Sequence, residues 1–315
     1  MDLLDRKIIY ELDIDARQSA SAIAKKLSVA KETVNFRIKR LLQNKIIKGF
    51  SSLLDLSKIH CFFFKIFVKF KEIPPKRRKE ILDFLAAYPQ MSQVLLLEGK
   101  YDVQLFFLAK ENSDMMRFME KMNAFCGKEI HEKQILIVNN LYRFNLKVLY
   151  HDKHDIKEII TAKKSDYVFD EISWNVLKQV ANNARISVLD IAKNCNISAQ
   201  LAQYHLKKLI KDKVIVSAHV DINYDALQML HYHVTFQLHD HSVLPWIIEF
   251  FNSKNKSLFA TTMIGCYDGS AELIVTDNQE LREIIDNLLE NFADKINVLD
   301  IFLIYNEYEM RLYPL

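Results

Sequence analysis

At the start of the chain apolar residues recur at helical spacing. Leu4, Ile8 and Leu12, with Ile9 beside them, share one helix face. Ser19-Ala-Ser opens a second, shorter helix, with a serine suited to cap it and with Ile23 and Leu27 turned inward. After a turn, a third helix sets Val34, Ile38, Leu41 and Leu42 inward and leaves Lys31, Asn35, Arg37, Lys39 and Arg40 on its outer side. From Ile46 to Leu54 the pattern becomes that of a short β run. Further on the same order returns in Ile172, Val176 and Val180, then Ser187, Ile191 and Cys195, then Ala202, Leu206, Leu209 and Ile210. The β run Val214–Ile222 completes it. Three short helices and a β ribbon predict a winged helix-turn-helix head at 1–58 and another at 169–226.

Outside the heads, period two takes over. Phe62, Phe64, Ile66, Val68 and Phe70 share one face of a strand, and Phe63 and Phe67 the other, so both faces are partly buried. A helix opened by Pro74-Pro75 follows over 75–88, then strands at 93–97 and 103–109 around a turn at Gly99 to Asp102. A helix at 113–125 and a strand at 133–138 end the unit. This βαββαβ order is a ferredoxin-like unit, predicted over 59–150. A second is predicted over 227–315, with strands at 230–238, 258–264, 270–276 and 297–305 and helices at 243–252 and 279–292. Residues 151–168 lack Gly, Pro and serine runs and read as a charged strap. The fold class expected is α+β, with two winged helix-turn-helix domains and two ferredoxin-like units in tandem.

The tandem is written residue by residue. Residues 2–59 align without a gap to a segment 168 positions later, matching Asp2 with Asp170, Ala16 with Ala184, Arg17 with Arg185 and Lys39 with Lys207. In the later halves the offset is 166, and Gly99-Lys-Tyr-Asp102 answers Gly265-Cys-Tyr-Asp268. Function is therefore sought first in the module and then in its duplication.

With 315 residues, 50% of them hydrophobic and 26% charged, the chain suits a soluble protein of two to four domains. The opening Asp2, Asp5, Arg6 and Lys7 is no signal peptide, and the apolar run 61–70 is broken by Lys65 and Lys69, so no membrane partner is expected. Cys61, Cys126, Cys195 and Cys266 stand apart, as reduced thiols of a cytoplasmic protein do. Five Gly leave little room for phosphate-cradling loops, and no cofactor is expected. The net charge of +3 decides nothing, but its distribution does. Residues 17–48 carry nine basic side chains against Glu32, and 185–216 carry six against Asp190 and Asp212. Positive charge focused on the repeated heads is what a polyanion binder needs.

In helix-turn-helix docking, the outer side of the third helix enters the DNA major groove. There Asn35, Gln200 and Gln203 suit adenine edges and Arg37 suits guanine, with Tyr204 alongside. Lys31, Lys39, Arg40, Lys207, Lys208 and the paired Arg17 and Arg185 suit phosphates, which position without specifying. The expected partner is double-stranded DNA; a merely solvated basic face is the bland alternative.

The stretch DARQSASAIAKKLSVAKETVNFRIKRLLQNKIIKGFSSLLDLSKI resembles the head of Lrp/AsnC (feast/famine) transcription regulators, in its opening, its recognition-helix ending and its lead into the wing. The resemblance runs through nearly the whole chain, twice. One departure is that Asn44-Lys45 and Asp212-Lys213 stand where the family has Gly to close the helix in a positive-φ turn, so that turn is expected to shift by a residue. The resemblance implies that the ferredoxin-like unit senses an effector such as an amino acid and oligomerises. It also implies that the turn between the unit's middle strands, here Gly99, Tyr101, Asp102 and Gly265, Tyr267, Asp268, helps form the effector pocket. Such regulators work as dimers, so a tandem chain forms its pair internally at high effective concentration, with further self-association expected. The first head is the more basic (Lys31 against Ala199, Arg37 against His205), so unequal contributions are expected.

Rival readings each rest on fewer residues. Siroheme decarboxylases share this architecture, but their His-Asn-Tyr-x-Arg segment before the hairpin turn is replaced here by Gln93-Val-Leu-Leu-Leu-Glu and Ala260-Thr-Thr-Met-Ile. His231 and His233, with His239 and His241, suggest a metal sensor, although the first copy has nothing comparable. The phenylalanine strand could stack RNA bases but lacks the glycines of such platforms. An effector-independent architectural DNA binder is the closest alternative to a regulator.

Overall fold

Helix α1 (Leu3–Ile14) begins with a capping box: the Asp2 carboxylate accepts from the Asp5 N–H and the Asp5 carboxylate from the Asp2 N–H. Ser19 accepts from the Ala22 N–H to cap α2 (Ala20–Leu27), and α3 (Lys31–Gln43) follows. Ile8, Ile9, Leu12, Ile23, Val34, Ile38 and Leu41 form one buried cluster, the face the sequence pattern selects. In this computed structural model the described residues are 1–150, 157–161, 163, 165–311 and 313.

From the head the chain passes through β1 (Ile47–Leu54) into β2 (Phe62–Phe70), α4 (Pro75–Ala86), β3 (Met91–Glu98), β4 (Val103–Ala109), α5 (Asn112–Cys126) and β5 (Ile130–Phe144). After β6 (Lys157–Thr161) the order recurs in α6 (Glu171–Ala181), α7 (Val188–Asn194), α8 (Ala199–Lys211) and β7 (Ile215–Ile222). It ends with β8 (Leu230–Leu238), α9 (Leu244–Ser253), β9 (Ser257–Ile264), β10 (Gly269–Val275), α10 (Asn278–Phe292) and β11 (Ile296–Met310).

The helix-closing turns do shift by a residue. Asn44 and Asp212 keep negative φ, and the lysines after them take the left-handed conformation, Lys45 at φ 54° and Lys213 at φ 55°. The Ile46 N–H then reaches the Leu41 carbonyl at 3.0 Å and the Val214 N–H the Leu209 carbonyl at 2.9 Å, which closes each helix as a glycine would have done.

Two expectations are corrected by strand pairing. The β runs after the third helices are not free wings: β1 and β7 pair with each other, antiparallel, from Ile47 opposite Ile222 to Leu54 opposite Ile215. Each head supplies one strand with no hairpin mate of its own, so the ladder closes across the internal pair. Within the strap, β6 is a strand on β5, while residues 151–156, 162 and 164 lie outside those described. Ends differ too. The last strands, expected at 133–138 and 297–305, run to Phe144 and Met310 because they change partners midway. Up to Ile137 β5 pairs with β2, and from there with β9; β11 goes from β8 to β3.

That exchange closes a ring: β2, β4, β3, β11, β8, β10, β9, β5 and back to β2. Outside it, α4 and α5 cover one half through Ile66, Val68, Leu85 and Phe118, and α9 and α10 cover the other through Val234, Phe251 and Leu288. Inside, Phe67, Leu95, Tyr101, Leu136, Tyr267 and Phe302 fill one end, as expected of eight strands whose interior just holds side chains. The other end opens beneath β1 and β7.

Candidate nucleic-acid interface and the cavity beneath it

The outer side of α3 exposes Lys31, Asn35, Phe36 and Lys39, and that of α8 exposes Gln200, Gln203, Tyr204 and Lys207. Three of these pairs occupy matching repeat positions, Asn35 with Gln203, Phe36 with Tyr204 and Lys39 with Lys207. Phe36 was not among the residues singled out from sequence, yet it is 65% exposed and Tyr204 is 61% exposed. A large exposed aromatic at the same helix position in both copies is the signal that marks it.

The other basic residues singled out for DNA contact, Arg37 among them, carry ion pairs or hydrogen bonds within and between the heads. Arg37 bonds the carboxylates of Asp2 (2.6 Å) and Asp5 (2.9 Å), and Arg40 bonds Asp5 at 2.8 Å, so both tie α3 to the start of α1. Arg37 is the largest influence lowering the Asp2 carboxyl, to about 2. In the second head Lys208 bonds Asp170 at 3.1 Å, while His205 is buried against the Ser173 hydroxyl at 2.9 Å. Arg17 donates to the carbonyls of Ala184 and Ile186, and Arg185 to those of Ala16 and Gln18. Between them the Ala16 N–H donates to the Ala218 carbonyl and the Ala184 N–H to that of Phe50, each at 2.8 Å. The two arginines are thus a reciprocal staple between heads, with Arg185 also stacked on Phe50 at 5.2 Å.

The turns expected to form an effector pocket carry out a structural task. Asp102 accepts from the Phe70 N–H (2.7 Å) and pairs with Lys69 (2.9 Å); Asp268 accepts from the Leu238 N–H (2.7 Å) and faces His241 (3.3 Å). Both carboxylates bond the backbone of the neighbouring strand. Gly99 and Gly265, at φ 137° and 150°, stand where a Cβ would meet Phe302 and Leu136 of the opposite half. Tyr101 donates to Glu132 and Tyr267 to Asp300, plugging the barrel end away from the heads.

At the end toward the heads lies a cavity of 210 Å³. Its walls are mostly apolar, among them Leu53, Phe63, Phe106, Leu108, Leu141 and Phe259, and its roof is the β1–β7 ribbon. Most charged groups on its wall have opposite partners: Arg143 holds Asp13 and lies 3.7 Å from Glu158, Lys48 holds Glu307, and His231 faces Glu272 at 3.3 Å. Asp221 accepts from the Ser51 hydroxyl at 2.7 Å, and burial pushes its carboxyl up. Lys65 differs. It is 1% exposed, its ammonium donates to the Ser270 hydroxyl at 2.9 Å and the Thr261 hydroxyl at 3.1 Å, and among the described residues no carboxylate lies within salt-bridge distance. Burial pushes it down to about 8, with Glu272 acting in the other direction. His233, its counterpart in the second copy, faces Gln104, the counterpart of Ser270, and burial drives it well below the usual imidazole range. His239 is exposed, and among the described residues no group of three or more His, Cys, Asp or Glu is placed to hold a metal ion. Nor, among those residues, is any helix long and apolar enough to cross a membrane.

Two heads built on a helix-turn-helix and mounted on a shared barrel define a paired helix-turn-helix protein. An AsnC-type helix-turn-helix domain matches residues 1–42, and a winged helix-turn-helix DNA-binding domain matches 169–216. An HTH-type transcriptional regulator of Pyrococcus furiosus is 33% identical over 129 residues, 41% of this chain and 86% of the relative. One from Pyrococcus horikoshii is 28% identical over 137 residues, 43% of this chain and 85% of the relative. The chain belongs to the Lrp/AsnC family of HTH-type transcription regulators. Among solved structures, the siroheme decarboxylase NirDL superposes with a TM-score of 0.64 over 98% of this chain and 92% of its own, at 11% identity, which shows a common fold.

Proposed function

We propose that this chain is a DNA-binding transcription regulator in which a tandem duplication supplies both recognition helices of what would otherwise be a dimer, acting from the cytoplasm. One observation carries the reading: α3 and α8 present matched, exposed sets (Asn35 and Gln203, Phe36 and Tyr204, Lys39 and Lys207) on heads stapled to each other. Asn35, Gln200 and Gln203 read base edges; Phe36 and Tyr204 offer apolar contact of the kind that meets a thymine methyl group. Lys31, Lys39 and Lys207 hold phosphates. The two helices enter successive major grooves about one helical turn apart.

The test is duplex binding followed by fluorescence anisotropy over a range of salt. Replacing both Lys39 and Lys207 with Ala should lower the slope of log affinity against log salt by about 2, since each phosphate contact contributes roughly 0.9. Asn35→Ala should leave that slope unchanged and relax base preference at one position. Absence of duplex binding in low salt, or a slope untouched by the double substitution, defeats the reading.

A further inference from the structure

We propose that the cavity under the β1–β7 ribbon is an effector site for a monocarboxylate with an aromatic or branched apolar body, held by Lys65. Lys65 is buried, its ammonium donates to the hydroxyls of Thr261 and Ser270 and lies 5.3 Å over the Phe106 ring, and among the described residues no carboxylate pairs with it directly. Arg143, Lys48, His231 and Glu272 on the same wall are already engaged by opposite partners. Glu272 acts on this ammonium only from a distance and is itself paired with His231, so the burial cost is incompletely offset, and a ligand carboxylate in direct contact would offset more of it. Beside the paired charged groups, phenylalanine and leucine side chains give the 210 Å³ cavity most of its apolar lining and set the body of the ligand. An apolar cavity of about 150 Å³ holds benzene, so this one has room for a ring or branched chain with an acid group beside it.

The position gives such a ligand something to act on. β1 follows α3 and β7 follows α8 after short turns, so the roof of the cavity is the element that sets the two recognition helices against each other. Occupancy changes the packing under that ribbon and, through it, DNA affinity. Only this last step rests on the DNA-binding reading.

The experiment uses the full chain with phenylpyruvate as the acid, phenylalanine as the same body with an added ammonium, and benzyl alcohol as the neutral control. Calorimetry and thermal shift should show binding of phenylpyruvate and no response to benzyl alcohol. Lys65→Met, which replaces a buried cation by an apolar side chain of similar length, should fold and lose the response by at least tenfold in affinity. Duplex affinity measured with and without phenylpyruvate should then differ in the parent chain and not in the variant. Retention of binding in Lys65→Met overturns the proposal, as does a response to phenylalanine alone, to benzyl alcohol or to an iron tetrapyrrole instead. Silence of the parent chain to phenylpyruvate at millimolar concentration overturns it as well. Duplex binding in the absence of any ligand is scored separately, so failure of this site and failure of the DNA-binding reading give different results.

Discussion

Arg17 and Arg185 separate two roles that a basic residue on these heads can have, gripping phosphate or holding the heads together. Each is half-buried and donates to carbonyls of the opposite head. Removing both to Ala deletes the charge-assisted hydrogen bonds of both guanidiniums, of which the two closest, Arg17 to Ala184 and Arg185 to Ala16, contribute about 1.5–3 kcal/mol each. It also deletes the Arg185–Phe50 stacking, worth about 0.5–1 kcal/mol. The sum overstates the loss: burial depresses Arg185 and the Arg17 charge depresses it further, so removing either arginine relieves its mate. A net cost of about 3 kcal/mol is expected, and at roughly 2 cal/mol/K per residue over the whole chain this lowers Tm by about 5 °C. Differential scanning calorimetry reads the first quantity, and the salt dependence of duplex binding reads the second. The expected result is a lowered Tm and an unchanged salt slope. A slope reduced by about 2 with Tm unaltered would return both arginines to the phosphate backbone and refute the staple.

Asp13→Ala should cost about 3–4 kcal/mol in urea unfolding, because it leaves buried Arg143 with only Glu158 at 3.7 Å; a loss below 1 kcal/mol would mean the pair contributes little. Lys45→Gly and Lys213→Gly should each stabilise the chain by about 1 kcal/mol, by removing a side chain from a left-handed residue, and a destabilised variant would contradict that. Lys65 gives a pH signature. Its folded value, pushed down to about 8 by burial, lies below the ordinary 10.5 of an unfolded chain. The unfolded chain therefore binds more protons between those values, and stability rises with pH across that window. The penalty, fully present below pH 8, is roughly 3 kcal/mol. Lys65→Met should be the more stable at pH 7, with its advantage shrinking toward pH 10; a constant gap would place the proton elsewhere.

The heads were legible because their information is local: the 3.6 period, the serine and aspartate caps, and the exposed face containing Asn35 and Lys39 all lie within a few turns of chain. The βαββαβ order was legible for the same reason. Partners far apart in sequence were not. Nothing near Ile47 announces Ile222, and nothing near Asn140 announces Thr262, so neither the closed ribbon nor the closed barrel could be read from spacing. The basic residues show the same limit. Charge and helical phase place Arg37 and Lys39 equally well at DNA, and only the position of Asp2 and Asp5 distinguishes the tied residue from the exposed one. Lys65 did leave a trace, since period two puts it on the face of Phe63 and Phe67, which is inward.

Duplication within one chain explains why that lysine can exist. In a symmetric dimer every interior position appears twice, and a lysine at position 65 would meet its own copy across the barrel as a second buried cation. Here the copy holds His233, which burial keeps in its neutral form, and Ser270 and Thr261 stand where the first copy has Gln104 and Leu95. Across the ladder, Lys65 is registered with Phe106 while His233 is registered with Glu272. One half thus brings the cation and an aromatic wall, and the other brings the hydroxyls that support the ammonium. Such a division of labour requires halves that vary independently while folding together. Fusion supplies that condition, and it allows one off-axis site beneath two recognition helices that occupy matching positions in the two heads.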